Sequence, residues 1–463
     1  MAGKIMKLEL KIGPFLILIG CLLAPTLLRA EPLNLQQAVE LALAHAPAMQ
    51  AAVAGRDASA EDSALGRAWL LPYAELRGSI QRRKNNTVYD IPQNLFKTDL
   101  NYNQNSIGVR VVQSLFDLER WAGYRQGELS AEAGELKLQL ERQRLILETS
   151  QAFLAATTAQ TALTAASARE AAAEKLALQA EVARQVGTAA LPERLDAETR
   201  RDMAKADRLR AENELNQARA VLASLTGSVI DELTPPQVAQ DDQSDQDTSG
   251  TSGNSEPWES KAATQAIAVK LAQVQFGVAK EGRKKALGGA LPKVELFGEV
   301  SRDRSGDTML DRGATVHNQA IGIQVKVPLY AGGGTSAQMR KSEKEALQAE
   351  FSLTDDIRLA RLTTRQAFLN RKSAEAQVQA MHQATLSAGK SSEMAHRGYE
   401  VGMRSMTEVL DADERAFTAE KNLSAAIAQY VFASLQLQAS VGELTSKSLP
   451  ETFGGDTVTV SDP

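Results

Sequence analysis

The sequence predicts a mostly α-helical chain that also carries four β-strands and is built as an internal tandem duplication. Three patterns predict this fold class: long proline-free stretches of helix-forming residues, pairs of segments with alternating apolar and polar residues, and a repeat that aligns distant parts of the chain. The composition agrees, because 14 Pro, 31 Gly and 5% aromatic residues among 463 leave room for long uninterrupted elements.

The first element in the chain has the features of a secretory signal peptide. A lysine-rich start is followed by the apolar run 14–28 and by Ala30. We therefore expect residues 1–30 to be removed and the mature chain to be exported. The alternative is a lipobox ending at Cys21, which is disfavoured because the apolar run continues beyond this cysteine.

The internal repeat divides the mature chain into two halves. Residues 186–197 align without a gap with residues 401–412, and the same offset places Gly227 on Gly442. The predicted organisation follows this repeat, with helix, two strands and a long helical pair in each half. Its segments are a first repeat at 31–233, a linker at 234–257, a second repeat at 258–445 and a C-terminal tail at 446–463.

Each half contains two strand-like segments that match between the halves. Residues 71–78 recur as 291–298, and 107–111 recur as 321–325. In the last of these, apolar Ile321 and Ile323 alternate with Gly322 and Gln324. Alternation over about 10 residues is typical of a transmembrane β-strand, although a half-buried soluble sheet shows it too. Four strands cannot close a barrel of about 8 strands, so a membrane barrel requires several chains.

The long helical stretches follow the strands in each half. Residues 117–185 and 192–225 are predicted as helices of the first half, and 335–395 and 405–441 as those of the second. The first of them would be a rod of roughly 100 Å. A cytoskeletal coiled coil is the alternative, but a signal peptide and interrupting strands fit it poorly.

The linker lacks Lys and Arg, which indicates a flexible acidic connector more than a cation site.

Several functional classes are excluded or disfavoured. A net charge of −5 argues against a nucleic-acid binder. The histidines are scattered without ligand spacing, at His45, His317, His382 and His396. Gly332, Gly333 and Gly334 lie between a strand and a helix, but they lack the GxGxxG spacing and the lysine of a phosphate-binding loop. We therefore expect a turn there, and no enzyme activity, metal or cofactor in the protein.

Three segments carry a resemblance to a known family. They are the hairpin motif 398–412, the strand-to-helix turn 328–334 and the opening 35–44 of the mature chain. With their order along the chain, they resemble the TolC-like outer-membrane efflux and secretion proteins. The resemblance implies a homotrimer in which each chain gives four strands to a 12-stranded outer-membrane barrel, continued by a long α-helical coiled-coil tunnel across the periplasm of a Gram-negative cell.

The resemblance also implies where the chemistry lies. The turns at Gly187 and Gly402 are expected at the periplasmic mouth of the channel. Glu408 and Asp411 lie three residues apart on one helical face, so three chains would place six carboxylates around one axis. Such a ring attracts cations and repels anions. The alternative for an isolated pair of this kind is a solvated helix face.

A latch for the closed mouth is implied by the same resemblance. Tyr399 and Arg404 of the second hairpin are expected to bond to the first hairpin near Glu193. This chain has Pro192 where the family often has a hydroxyl residue, so the latch is expected to use backbone carbonyls there. Arg404 has Ala189 as its counterpart in the first half, so the two hairpins are not equivalent.

The predicted function is a passive exit duct of a tripartite efflux pump or of a type I secretion system. The expected partners are a periplasmic adaptor and an inner-membrane pump or ABC transporter, since the chain has no nucleotide-binding motif. The alternative function is a periplasmic coiled-coil adaptor or scaffold. An adaptor would carry a compact β-domain beside its hairpin, whereas this chain has two separated strand pairs.

Overall fold

The computed structural model describes residues 33–91, 94–187, 190–230, 232–236, 254–306, 313–447 and 449. The predicted signal peptide with Cys21, most of the predicted linker, nearly all of the predicted tail and Ala189 lie outside the described residues.

The two halves have the same order of elements. The first half contains α1 (Leu35–His45), α2 (Pro47–Ala68), β1 (Tyr73–Ile91), β2 (Asn94–Phe116), α3 (Leu118–Gln185) and α4 (Leu191–Thr226). The second half contains α5 (Glu256–Gln265), α6 (Ile267–Gly288), β3 (Lys293–Ser305), β4 (Ala314–Lys326), α7 (Gly334–Glu400) and α8 (Met406–Ser440). The predicted tandem duplication is confirmed.

A break divides the helical region that precedes each strand pair, where one helix was predicted. In the first half the break is at Ala46, whose ψ of 126° is extended because Pro47 follows it. In the second half it is at Ala266, with a ψ of 133° and no proline beside it.

The long helices have defined ends. Asp117 is the N-cap of α3 and accepts hydrogen bonds from the backbone N–H groups of Glu119 and Arg120 at 2.9 and 3.3 Å. With 68 residues, α3 is about 100 Å long, as predicted. The prediction for α7 was too short, since this helix continues past residue 395 to Glu400.

The strands form one antiparallel sheet in the order β1-β2-β3-β4. β1 and β2 have 19 and 23 residues, against 13 each in β3 and β4, so the β1–β2 hairpin extends beyond the other two strands. They also extend well beyond the strand-like segments 71–78 and 107–111 of the sequence. Within one chain, β1 and β4 are open edges, which a further chain must cover if the sheet is to close.

The register gives the sheet two chemically different faces. Residues directly opposite one another lie on the same face, so Leu76, Val109 and Val300 share a face. We call this the outward face. It also holds Ile80, Ile107, Val111, Leu296, Ile321, Ile323 and Val325. Ile321 is 83% exposed in the single chain, while Gln324 lies on the opposite, inward face.

The main hydrophobic core lies at the middle of the helical body. Phe153 of α3, Leu222 of α4 and Leu435 of α8 are buried there with Val39 of α1. Among the described residues, no helix is both long enough and apolar enough to cross a membrane.

Candidate gate at the hairpin turns

The turn of the first hairpin joins α3 to α4. Gly187 has a φ of +83°, a left-handed conformation that glycine adopts without a steric cost. The predicted latch residue Glu193 lies in the first turn of α4, where its Oε2 accepts a hydrogen bond from the Ala190 N–H at 3.4 Å. The next residue, Arg194, forms an ion pair with Glu181 of α3 at 3.4 Å. Glu193 therefore caps its own helix within one chain.

The turn of the second hairpin joins α7 to α8 through Gly402, which has a φ of +73°. The N–H groups of Met403 and Arg404 both donate to the Gly398 carbonyl, at 2.8 and 3.2 Å. A Cβ atom at Gly398 would lie only 3.0 Å from Arg404 Cγ, so the arginine stem packs on this glycine. The turn thus fixes the start of the Arg404 side chain.

Glu408 occupies the first turn of α8 and exchanges hydrogen bonds with Ser405, the N-cap residue. Glu408 Oε2 accepts from the Ser405 N–H at 2.7 Å and from its hydroxyl at 3.1 Å, while Ser405 Oγ accepts from the Glu408 N–H at 3.3 Å. The bonds from the Ser405 N–H and hydroxyl, with the Arg404 charge nearby, hold the pKa of Glu408 below its usual range. The carboxylate is therefore charged at neutral pH.

Asp411, the second predicted ring residue, contacts the first hairpin. Its Oδ1 lies 3.4 Å from Nη1 of Arg200 on α4. Arg200 also forms an ion pair at 3.0 Å with Asp196, which lies one turn earlier on α4. Arg200 therefore links the two hairpins and places a positive charge beside one of the two predicted ring carboxylates.

A second arginine links the same two hairpins further from the turns. Arg169 of α3 contacts Asp207 of α4 at 3.1 Å and Glu414 of α8 at 3.0 Å. Arg169 and Arg200 line a cavity of about 70 Å³ between the hairpins, which Phe417 also lines. Sequence reasoning missed both arginines, since neither stands in a motif and their acidic partners on α8 belong to the other repeat.

A histidine–aspartate contact joins the two helices of the second hairpin. His396 Nε2 lies 3.0 Å from both carboxylate oxygens of Asp413, and the Ser392 hydroxyl donates to the same carboxylate at 2.5 Å. In the sequence, His396 is one of four histidines without ligand spacing. Its partner lies 17 residues away across the turn, a spacing that follows from the hairpin and from no local pattern.

The three predicted latch residues do not meet within one chain. In the described part of the chain, no hydrogen bond or ion pair joins Tyr399 or Arg404 to Glu193. The Tyr399 carbonyl accepts the Gly402 N–H at 2.9 Å, which stabilises the turn itself.

The glycine-rich segment before α7 has the geometry of a turn. Gly332 and Gly333 have φ angles of +61° and +81°, and Gly333 is the N-cap of the helix that begins at Gly334. Across the described ranges, no group of three or more His, Cys, Asp and Glu residues is arranged to hold a metal ion.

The outer membrane efflux protein family matches residues 38–228 and 258–443, which together make up most of the chain. The chain belongs to the outer membrane efflux protein family. The two matched segments contain both long hairpins and all four strands of the sheet.

Relatives within this family are similar over almost the whole chain. Outer membrane protein TolC of Vibrio cholerae is 28% identical over 427 residues, covering 91% of this chain and 93% of the relative. The proteases secretion protein PrtF of Dickeya chrysanthemi is 26% identical, covering 91% and 90%. The crystal structure of the outer membrane protein VceC of Vibrio cholerae superposes with a TM-score of 0.70 at 17% identity, covering 88% and 96%. The predicted family and fold class are confirmed.

Proposed function

We propose that this outer membrane efflux protein is a passive homotrimeric duct through which cargo leaves the cell. The observation that carries the proposal is a four-stranded sheet with two open edges and an exposed apolar face, joined directly to helices of about 100 Å. A sheet of this kind buries its apolar face in lipid and pairs its edges with neighbouring copies. The helices then extend the duct into the periplasm.

The energy for transport must come from partners. The chain carries no nucleotide-binding motif, so we assign it an inner-membrane pump or ABC transporter joined through a periplasmic adaptor. One relative is named as a protease secretion protein and another as an outer membrane efflux protein. These names support an export system of one of these two kinds. The adaptor would dock in the grooves between the hairpins near Gly187 and Gly402.

The mouth of the duct is assigned to the hairpin turns. Glu408 and Asp411 would form a ring of six carboxylates in the trimer, with the negative field of Asp411 partly offset by the Arg200 guanidinium. Tyr399 and Arg404 of one chain would bond to the first hairpin of the next chain near Glu193. This assignment is consistent with the absence of such a contact within one chain among the described residues.

The test is the mass and conductance of the purified mature chain. We expect a detergent-dependent particle with the mass of three chains, which forms cation-preferring pores in planar bilayers. A water-soluble monomer without conductance would contradict the proposal and would favour the periplasmic adaptor or scaffold function.

A further inference from the structure

The outward face of the sheet changes character along β1 and β3. In β1 the outward residues Leu76, Gly78 and Ile80 are followed by Arg82 and Lys84. In β3 the outward residues Leu296, Gly298 and Val300 are followed by Arg302 and Arg304. Both strands leave the helical end of the molecule, so each apolar run ends in two cations at the end of the sheet that is far from the helices.

The two repeats match on this face at every one of these positions. Leucine aligns with leucine, glycine with glycine, Ile80 with Val300, and the two cations with two cations. The inward residues between them do not match: the aligned pairs are Arg77 with Phe297, Ser79 with Glu299, Gln81 with Ser301 and Arg83 with Asp303. The apolar-then-basic order is therefore a property of the outward face and not of the strand as a whole.

The outward cations form no ion pair with a described residue, and Asp99, an outward carboxylate of β2, lies opposite Asn86. Arg302, Arg304 and Lys84 are exposed and form no ion pair with a described residue, and Arg82 donates only to the Asn101 side chain at 3.2 Å. The residues opposite them on β2 and β4 are Asn101, Asn103, Asn105, Ile107, Thr315 and His317. No described carboxylate of β2 or β4 lies directly opposite any of these cations.

The charged residues on the inward face are arranged differently. Arg110 lies 3.7 Å from Glu299, and Arg77 is paired with Glu75. Asp303 accepts a hydrogen bond from the Asn318 side chain at 2.6 Å. These three inward side chains thus have partners within the chain, although inward Arg83 donates only to the Gln81 side chain. The outward cations form no ion pair with a described residue and are open to a partner of negative charge.

We propose that Arg82, Lys84, Arg302 and Arg304 form a belt that binds the phosphate groups of anionic lipid headgroups. This inference rests on the proposed membrane orientation, in which the apolar run lies in the hydrocarbon and the cations reach the outer leaflet. Guanidinium groups bind phosphate oxygens in pairs, and a cation next to an anionic lipid surface adds favourable binding. Each chain contributes two such pairs, one from each repeat.

The test compares two double variants of the full-length mature trimer. The first is Arg302→Gln with Arg304→Gln on the outward face, and the matched control is Arg77→Gln with Arg83→Gln on the inward face. Each trimer is reconstituted into phosphatidylcholine nanodiscs that contain a minor fraction of a bis-phosphorylated glucosamine lipid, and the lipid retained per trimer is measured by native mass spectrometry.

We expect about tenfold weaker binding of the phosphorylated lipid in the outward variant and little change in the control. Charge-retaining Arg302→Lys with Arg304→Lys should keep most of the binding. If the outward double variant does not assemble, the single variants Lys84→Gln and Arg302→Gln replace it, each with a smaller loss expected.

Equal lipid retention by the outward and inward variants would overturn the belt. Inorganic phosphate that displaces the lipid at equal concentration would also overturn it, because the site would then be a general anion site. A trimer that conducts but shows no such preference contradicts only the belt, whereas a chain that forms no conducting trimer contradicts the proposed function.

Discussion

At the scale of single residues, Ser405 and Glu408 show how a motif residue serves its own helix. Ser405→Ala removes the acceptor of the Glu408 N–H and should cost the start of α8 about 1 kcal/mol. We expect faster hydrogen exchange at the Glu408 amide, measured by mass spectrometry on the trimer. Unchanged exchange at this amide would contradict a capping role for Ser405.

The Glu408 carboxylate makes the same helix start sensitive to acid. The pKa of Glu408 is lower in the folded state than in the unfolded state. The stability that the charged carboxylate contributes is therefore fully present above the unfolded-state pKa, and it is lost as the pH falls through the folded-state pKa. Protection of the Ser405 amide, corrected for intrinsic exchange, should therefore fall in acid but stay constant near neutral pH. In Glu408→Gln this acid-dependent step should be absent, and its persistence would assign the step to another group.

Arg200 sets how much negative charge the proposed ring presents. Arg200→Gln removes the guanidinium from Asp411, so multivalent cations added on the periplasmic side should block the pore more strongly. The matched control is Arg201→Gln, since Arg201 is paired with its neighbour Asp202 and not with α8. Glu408→Ala with Asp411→Ala should abolish the block. A block that the double alanine variant retains would place the selective ring elsewhere.

At the scale of elements, the two faces of β4 should tolerate charge differently. Ile323→Arg puts a cation on the outward face and should cost roughly 2 to 4 kcal/mol if the residue lies at mid-bilayer. Val111→Arg on β2 should behave alike, because the register places it on the same face. Gln324→Arg on the inward face is the control and should be tolerated. Equal losses of folded trimer at Ile323 and Gln324, measured by urea titration in vesicles, would refute the lipid-facing assignment.

At the scale of the whole molecule, the proposed latch between chains should control opening. Arg404→Ser removes a charged donor from that contact, and we expect a higher open probability in planar bilayers. Arg397→Ser is a suitable control, because Arg397 is paired with Glu393 on its own helix and not with another hairpin. Wild-type gating in the Arg404 variant would show that the closed mouth is held by other contacts.

The order of helices and strands could be predicted because it depends on local chemistry. Runs of helix-forming residues predict α3 and α4 to within one residue at each end, and positive-φ glycines mark the turns at Gly187 and Gly402. The length of β1 and β2 could not be predicted in this way. Residues 81–87 and 99–105 are mostly polar and show little alternation, and they are strands because their backbones pair with each other.

The duplication, the family and the positions of the two hairpin turns can be read from residue order and repeated motifs. Which charges meet depends on the three-dimensional packing of the helices. Arg200 and Asp411 are 211 residues apart, and their contact depends on how α4 and α8 are rotated against each other. The register likewise placed the paired cations of β1 and β3 on one face, because backbone hydrogen bonds between strands fix which side chains lie opposite one another.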